Sequence, residues 1–77
     1  MKTTQKFTSS EAAFEAVRSI VKSLPHTITQ FPTGYGELMF EATSPIDSGY
    51  IVVFGNVYMN HDEKNNRIWT LTKYQGM

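Results

Sequence analysis

An α+β fold, with an N-terminal helix packed on one face of a roughly four-stranded antiparallel meander sheet, follows from three observations on this sequence. An apolar stripe at helical spacing runs through residues 9 to 24 and stops at Pro25. Beyond it lie short runs rich in β-branched and aromatic residues, punctuated by Gly, Pro, Asn and Asp. The connections between those runs are short, which favours antiparallel neighbours over parallel crossovers. With 77 residues the chain is a single small domain, 1–77, near the lower size limit for folding without staples. The helix takes about 9–24 and the β-rich part 26–74.

The helix is announced by its ends. Thr8 through Glu11 has the spacing of a capping box, in which the Thr8 hydroxyl accepts from the Glu11 amide and the Glu11 side chain reaches back. Phe7 stands before that cap, positioned to staple against Ala12. Ala13, Phe14, Val17, Ile20, Val21 and Leu24 then form one stripe, with Glu15, Arg18, Ser19, Lys22 and Ser23 on the other side. Pro25 disfavours a helical conformation at Leu24 and ends the run.

Strand signals follow. Thr27 to Phe31 is β-branched, and Pro32-Thr33-Gly34-Tyr35-Gly36 reads as a hairpin loop. Glu37 to Thr43 alternates, with Leu38, Phe40 and Ala42 inward. Ser44 to Gly49 is a second loop, Tyr50 to Met59 a long strand, Asn60 to Asn66 a polar loop, and Arg67 to Tyr74 the last strand. Residues 2 to 6 could add an edge strand, and Gln75-Gly76-Met77 reads as a frayed end.

The segment Tyr50-Ile51-Val52-Val53-Phe54-Gly55-Asn56-Val57-Tyr58-Met59 bears most on function. As one strand it is apolar on both sides, whereas alternation leaves a solvated side polar. The one helix covers one face, so the other needs a cover. With Ile51, Val53, Val57 and Met59 under the helix beside Leu38, Phe40, Trp69 and Leu71, the second face carries Tyr50, Val52, Phe54 and Tyr58. Met39, Ile68, Thr70, Thr72 and Tyr74 join them. Two other readings of Gly55-Asn56 stay open: a two-residue hairpin turn, or a bulge that moves Val57 and Met59 across. The sheet could also curl into a small barrel with both faces internal.

Composition narrows the function. Apolar residues at 40% and aromatics at 13% are too many for a disordered chain. There is no cysteine, which excludes disulfides, thiolate metal sites and cysteine nucleophiles. Seven basic residues balance seven acidic ones, so the surplus of a nucleic-acid footprint is missing. Arg67, Lys73 and Lys64 are the cations of the β-rich half, outnumbered by Glu37, Glu41, Asp47, Asp62 and Glu63. No apolar run reaches membrane-spanning length, and the N-terminus lacks a secretory core, which together point to a cytoplasmic protein without membrane contact.

Candidate chemical sites are few. His61-Asp62-Glu63 groups three potential ligands, yet consecutive loop residues do not converge on one ion, and the loop lacks the alternation of an EF-hand. His26 is remote from them. Thr33-Gly34-Tyr35-Gly36 resembles a potassium-filter string without the membrane helices a filter needs, and it completes no dinucleotide fingerprint. Its glycines serve positive φ in a loop, which leaves Tyr35 at the tip as a contact anchor. Ser9 and Ser10 read as helix-start residues, so no catalytic, metal or cofactor residues are assigned. The order of helix then bent sheet resembles the Sm-like RNA-binding barrel in outline, but the glycine-and-asparagine strand signature and closing Lys-His motif of that family are missing. The sequence therefore leads to a small non-enzymatic binding protein, a regulatory or inhibitory accessory protein of bacterial or phage type. Its expected contact residues are Tyr50, Val52, Phe54, Tyr58 and Tyr35, engaging a protein partner, with a homodimer possible. A single-stranded RNA- or DNA-binding module on the same face is the alternative.

Overall fold

The computed structural model describes residues 1–76. Five strands and one helix are present: β1 (Lys2–Phe7), α1 (Ser10–Val21), β2 (His26–Gln30), β3 (Leu38–Thr43), β4 (Ile51–His61) and β5 (Arg67–Gln75). They form a single antiparallel sheet in the order β1-β5-β4-β3-β2, an α+β fold with one more strand than four. The additional strand is β1, which pairs along its whole length with β5, from Lys2 opposite Tyr74 to Phe7 opposite Trp69.

That order dictates the helix position. β1 and β2 flank α1 in sequence but lie at opposite edges of the sheet. The chain must therefore cross the sheet between them, and α1 makes the crossing in contact with β1, β5 and β3. Twelve helical residues rise about 18 Å, close to the roughly 19 Å spanned by four strand spacings. From β2 the chain returns strand by strand to β1 as a meander.

The helix begins one residue later than the capping box predicts. Ser9 is the N-cap, with extended φ −142° and ψ 151°, and its Oγ accepts from the Ala12 amide at 3.1 Å. Phe7 is still paired in β1, so Thr8 is taken up in leaving the strand and the Thr8–Glu11 box does not form. The helix also ends earlier, at Val21, because Pro25 tightens the exit: the Leu24 amide donates back to the Val21 carbonyl at 2.9 Å, a single 3₁₀-type turn.

The core is a two-layer contact. Ala13, Val17 and Val21 of α1 are buried against Leu38, Phe40 and Ala42 of β3, Val53 and Val57 of β4, and Leu71 of β5. Phe7, Phe14, Ile20, Leu24, Ile28 and Trp69 close its rim. The thinnest dimension of the molecule is 16 Å, consistent with one helix layer on one open sheet rather than a barrel. Among the described residues, no helix is long and apolar enough to cross a membrane.

Gly55-Asn56 is neither turn nor bulge. β4 runs through it, with Gly55 opposite Phe40 on one side and Lys73 on the other. A Cβ at Gly55 would collide with the Thr72 carbonyl oxygen and press on the Phe40 ring, so glycine lets the aromatic lie over the strand. The irregularity falls elsewhere. Ala42 pairs with Val53 but Thr43 pairs with Ile51, leaving Val52 as the extra residue. This shift breaks alternation at the start of β4, and Ile51, expected beneath the helix, is 44% exposed. Gln75 and Gly76, expected to fray, are bound instead: Gln75 donates to the Met1 carbonyl and Gly76 to that of Val52, both at 2.9 Å. Met77 lies outside the described residues.

Candidate interaction face

Strand register assembles the open face row by row. Side chains opposite in parity to Leu38, Val53, Val57 and Leu71 point away from the helix. The pairing aligns Lys2, Tyr74, Phe54, Glu41 and Thr27 in one row across all five strands. A second row holds Thr4, Thr72, Asn56, Met39 and Thr29, and a third Lys6, Thr70 and Tyr58.

Large apolar side chains stand exposed along these rows. Met39 is 52% exposed, Phe54 48%, Tyr58 42% and Tyr74 38%. Phe31, which continues the parity of Thr27 and Thr29 past the end of β2, is also exposed. Phe54 and Tyr74 stack with ring centroids 5.0 Å apart and planes 15° from parallel. The Lys2 ammonium lies 5.9 Å from the Tyr74 centroid, within cation–π range. Between the rings Thr70 and Thr72 are buried although no helix covers them, and Thr70 Oγ1 donates to Asn60 Oδ1 at 3.0 Å. The flanking side chains thus cover the floor of the face, and the rings form its surface. Two shallow grooves of about 270 and 280 Å³ flank Met39 and Phe54, one along Thr27, Thr29 and Glu41, the other along Phe31, Asn56 and Tyr74.

The five contact residues read from the sequence separate into three places. Phe54 and Tyr58 lie at the centre of the open face. Val52 sits half-buried at the register shift. Tyr50 lies before β4, in the turn, where its amide donates to the Asp47 carbonyl and its carbonyl accepts from the Ser44 amide. Tyr35 belongs to a different surface. Its carbonyl accepts from the Trp69 indole N–H, the Arg67 guanidinium lies 5.7 Å from its ring centroid, and adjoining Gly36 abuts Ser10 at the start of the helix. Lys2, Lys6 and Phe31 were missed as members of the open face. Parity within Lys2-Thr3-Thr4-Gln5-Lys6 puts both lysines on one side of β1, and only the pairing with β5 makes that side the open face.

The His61-Asp62-Glu63 segment forms the tip of the β4–β5 hairpin. There the Asp62 carboxylate is a turn element: Oδ1 accepts from the amides of Lys64 and Asn66, each at 2.9 Å. The bond from the Asn66 amide is the main reason its pKa lies below the ordinary carboxylate value. Among the described residues, no group of three or more His, Asp or Glu side chains is placed to hold a metal ion. No family model matches this chain, and no curated protein or solved structure matches it either.

Proposed function

We propose that this is an accessory protein that works by binding another polypeptide through the open face of its sheet. One observation carries the reading: Met39, Phe54, Tyr58, Tyr74 and Phe31 stand exposed together on a face that the single helix leaves bare. Contact surfaces are enriched in Tyr, Phe and Met and depleted of charge at their centre. Here the charged groups, Lys2, Lys6 and Glu41, lie to either side of the ring cluster. An aromatic anchor bounded by polar groups is the arrangement that concentrates binding energy at an interface.

A second reading has one observation in its favour. β1 brings Lys2 and Lys6 beside the stacked rings, as in sheets that stack single-stranded nucleic acid. Glu41 occupies the same row as Lys2, however, and the chain carries no net charge. That leaves little counterion release to drive binding at physiological salt.

A capture experiment with two baits tests the proposal. Phe54→Ser combined with Tyr58→Ser changes exposed positions only, so the variant should give a wild-type circular dichroism spectrum. Wild-type bait should retain a polypeptide, its own copy or another chain, that the folded variant loses. Equal retention by both baits rules the face out. Oligonucleotide binding that the variant loses and that weakens steeply with salt transfers the face to the second reading.

A further inference from the structure

Resting on the reading of the open face as a protein-binding surface, we infer that its occupant is a second copy of this chain, packed about a two-fold axis parallel to the strands and midway between β4 and β5. The inference comes from the order of charge across one row. Across four of the five strands the row reads Lys2 on β1, Tyr74 on β5, Phe54 on β4 and Glu41 on β3, with Thr27 beyond them on the edge strand β2. Lys2 and Glu41 are therefore equally far, in strand spacings, from a line drawn between the two stacked rings.

A two-fold axis along that line exchanges these four positions in reverse order and leaves β2, with Thr27, outside the overlap. It lays Lys2 over Glu41 of the second copy and Glu41 over Lys2, so one symmetry operation makes the ion pair twice. The same operation sets Phe54 over Tyr74 and Tyr74 over Phe54, joining two stacked pairs into one four-ring cluster. Strands of the two sheets then run nearly aligned, the packing that twisted sheets favour. Extended toward each other, a lysine and a glutamate together span the roughly 10 Å between packed sheets, with the ammonium kept at the rim. A two-fold axis running across the strands does the opposite. It lays β1 on β1 and turns the Lys2 and Lys6 ammonium groups of the two copies against each other. Charge complementarity selects the first arrangement.

The available area is adequate for a reversible dimer. Under this axis four strands of each copy overlap, which at about 4.8 Å apart and roughly 20 Å of common length gives a projected overlap of about 400 Å². That overlap is below the roughly 800 Å² per partner of a standard interface and belongs with weak, transient contacts. At the low end of the size range, dissociation should fall within the micromolar regime and be measurable.

Sedimentation equilibrium of the full chain, from low micromolar to submillimolar concentration, is the test. The mass should rise from the monomer's 8.8 kDa toward twice that value. Phe54→Ser should keep the chain monomeric throughout. Lys2→Glu should raise the dissociation constant about tenfold by creating two like-charge contacts, as should Glu41→Lys. Combining the two substitutions in one chain should return it to within about threefold of wild type, because the pairs re-form with reversed sign. Circular dichroism and melting of each variant show that it is folded. A wild-type mass that stays at 8.8 kDa overturns the inference while leaving the binding face itself to the capture experiment. A dimer unmoved by Phe54→Ser, or a double variant no better than Lys2→Glu alone, overturns it as well.

Discussion

Gly55 and Asn65 are two of the described positions that few side chains tolerate. Gly55 sits in the middle of the longest strand, where the Thr72 carbonyl and the Phe40 ring occupy the place of a Cβ. Gly55→Ala must shift either the β4–β5 pairing or a core aromatic, and should cost about 3 kcal/mol in chemical denaturation, the upper range for overpacking. A loss under about 1 kcal/mol would mean that the strand relaxes freely at this point. Asn65 is the one non-glycine residue at positive φ among the described residues, at 64°. Asparagine visits this region more readily than other side chains. Asn65→Ala should therefore lower stability by about 1 kcal/mol while Asn65→Gly holds or raises it. The two roles were not equally legible. Dipeptides such as Gly55-Asn56 punctuate turns in isolation, and the alternative was decided by partners remote in sequence, Phe40 on β3 and Thr72 on β5, which occupy the space of a Cβ.

Element boundaries depend on what the neighbouring segment is doing. Thr8 and Ser9 are both competent caps, and local spacing favours Thr8 because Glu11 stands three residues on. The pairing of β1 with β5 holds the chain extended to Phe7 and transfers the cap to Ser9. Ser9→Ala should thus cost about 1 kcal/mol and Thr8→Ala close to nothing, compared by denaturation midpoint. Equal losses would restore the earlier start. At the far end of the sheet, the β4–β5 hairpin is closed by the Asp62 carboxylate, which accepts from the Asn66 and Lys64 amides. These bonds favour the ionised form and lower its pKa from the ordinary 3.8. The sign of the linkage follows. A carboxylate depressed in the folded state contributes stability above its unfolded pKa and loses it as pH falls through the folded value. Amide exchange protection at Lys64 and Asn66 should accordingly drop on acidification below about pH 4. Asp62→Asn, which keeps an acceptor oxygen without a charge to titrate, should remove that dependence. Protection that titrates identically in both proteins would assign it to another group.

At the scale of the whole molecule, the two faces of one sheet have become unlike surfaces. The helix stripe and the inward positions of β3 were legible because each follows from periodicity, whereas the continuity of β4 through Gly55 was settled only by its pairing with β3 and β5. The open face was legible only as an excess of apolar residues, since its composition depends on register between strands far apart in sequence. Parity alone could not reveal that β1 turns Lys2 toward Tyr74, or that a shift at Val52 separates Tyr50 and Ile51 from the regular alternation. The contrast between faces predicts different responses to mutation and to concentration. Val57→Ala removes two methyl groups from a fully buried site beneath the helix, and should lower stability by about 2 kcal/mol at every protein concentration. Phe54 is about half exposed on the opposite face and stacks on Tyr74, so truncating it should cost a single copy about 1 kcal/mol, the lost cross-strand pair. Any binding that favours the folded state raises Tm by mass action. Wild-type Tm should therefore rise with protein concentration, and that of Val57→Ala should rise in parallel from a lower start. Phe54→Ser should give a flat line, below wild type even in dilute solution by the lost Tyr74 stack, so the slope is the diagnostic. Parallel rising slopes for wild type and Phe54→Ser would place association on another surface, and two flat lines would make the open face the outer surface of a monomer.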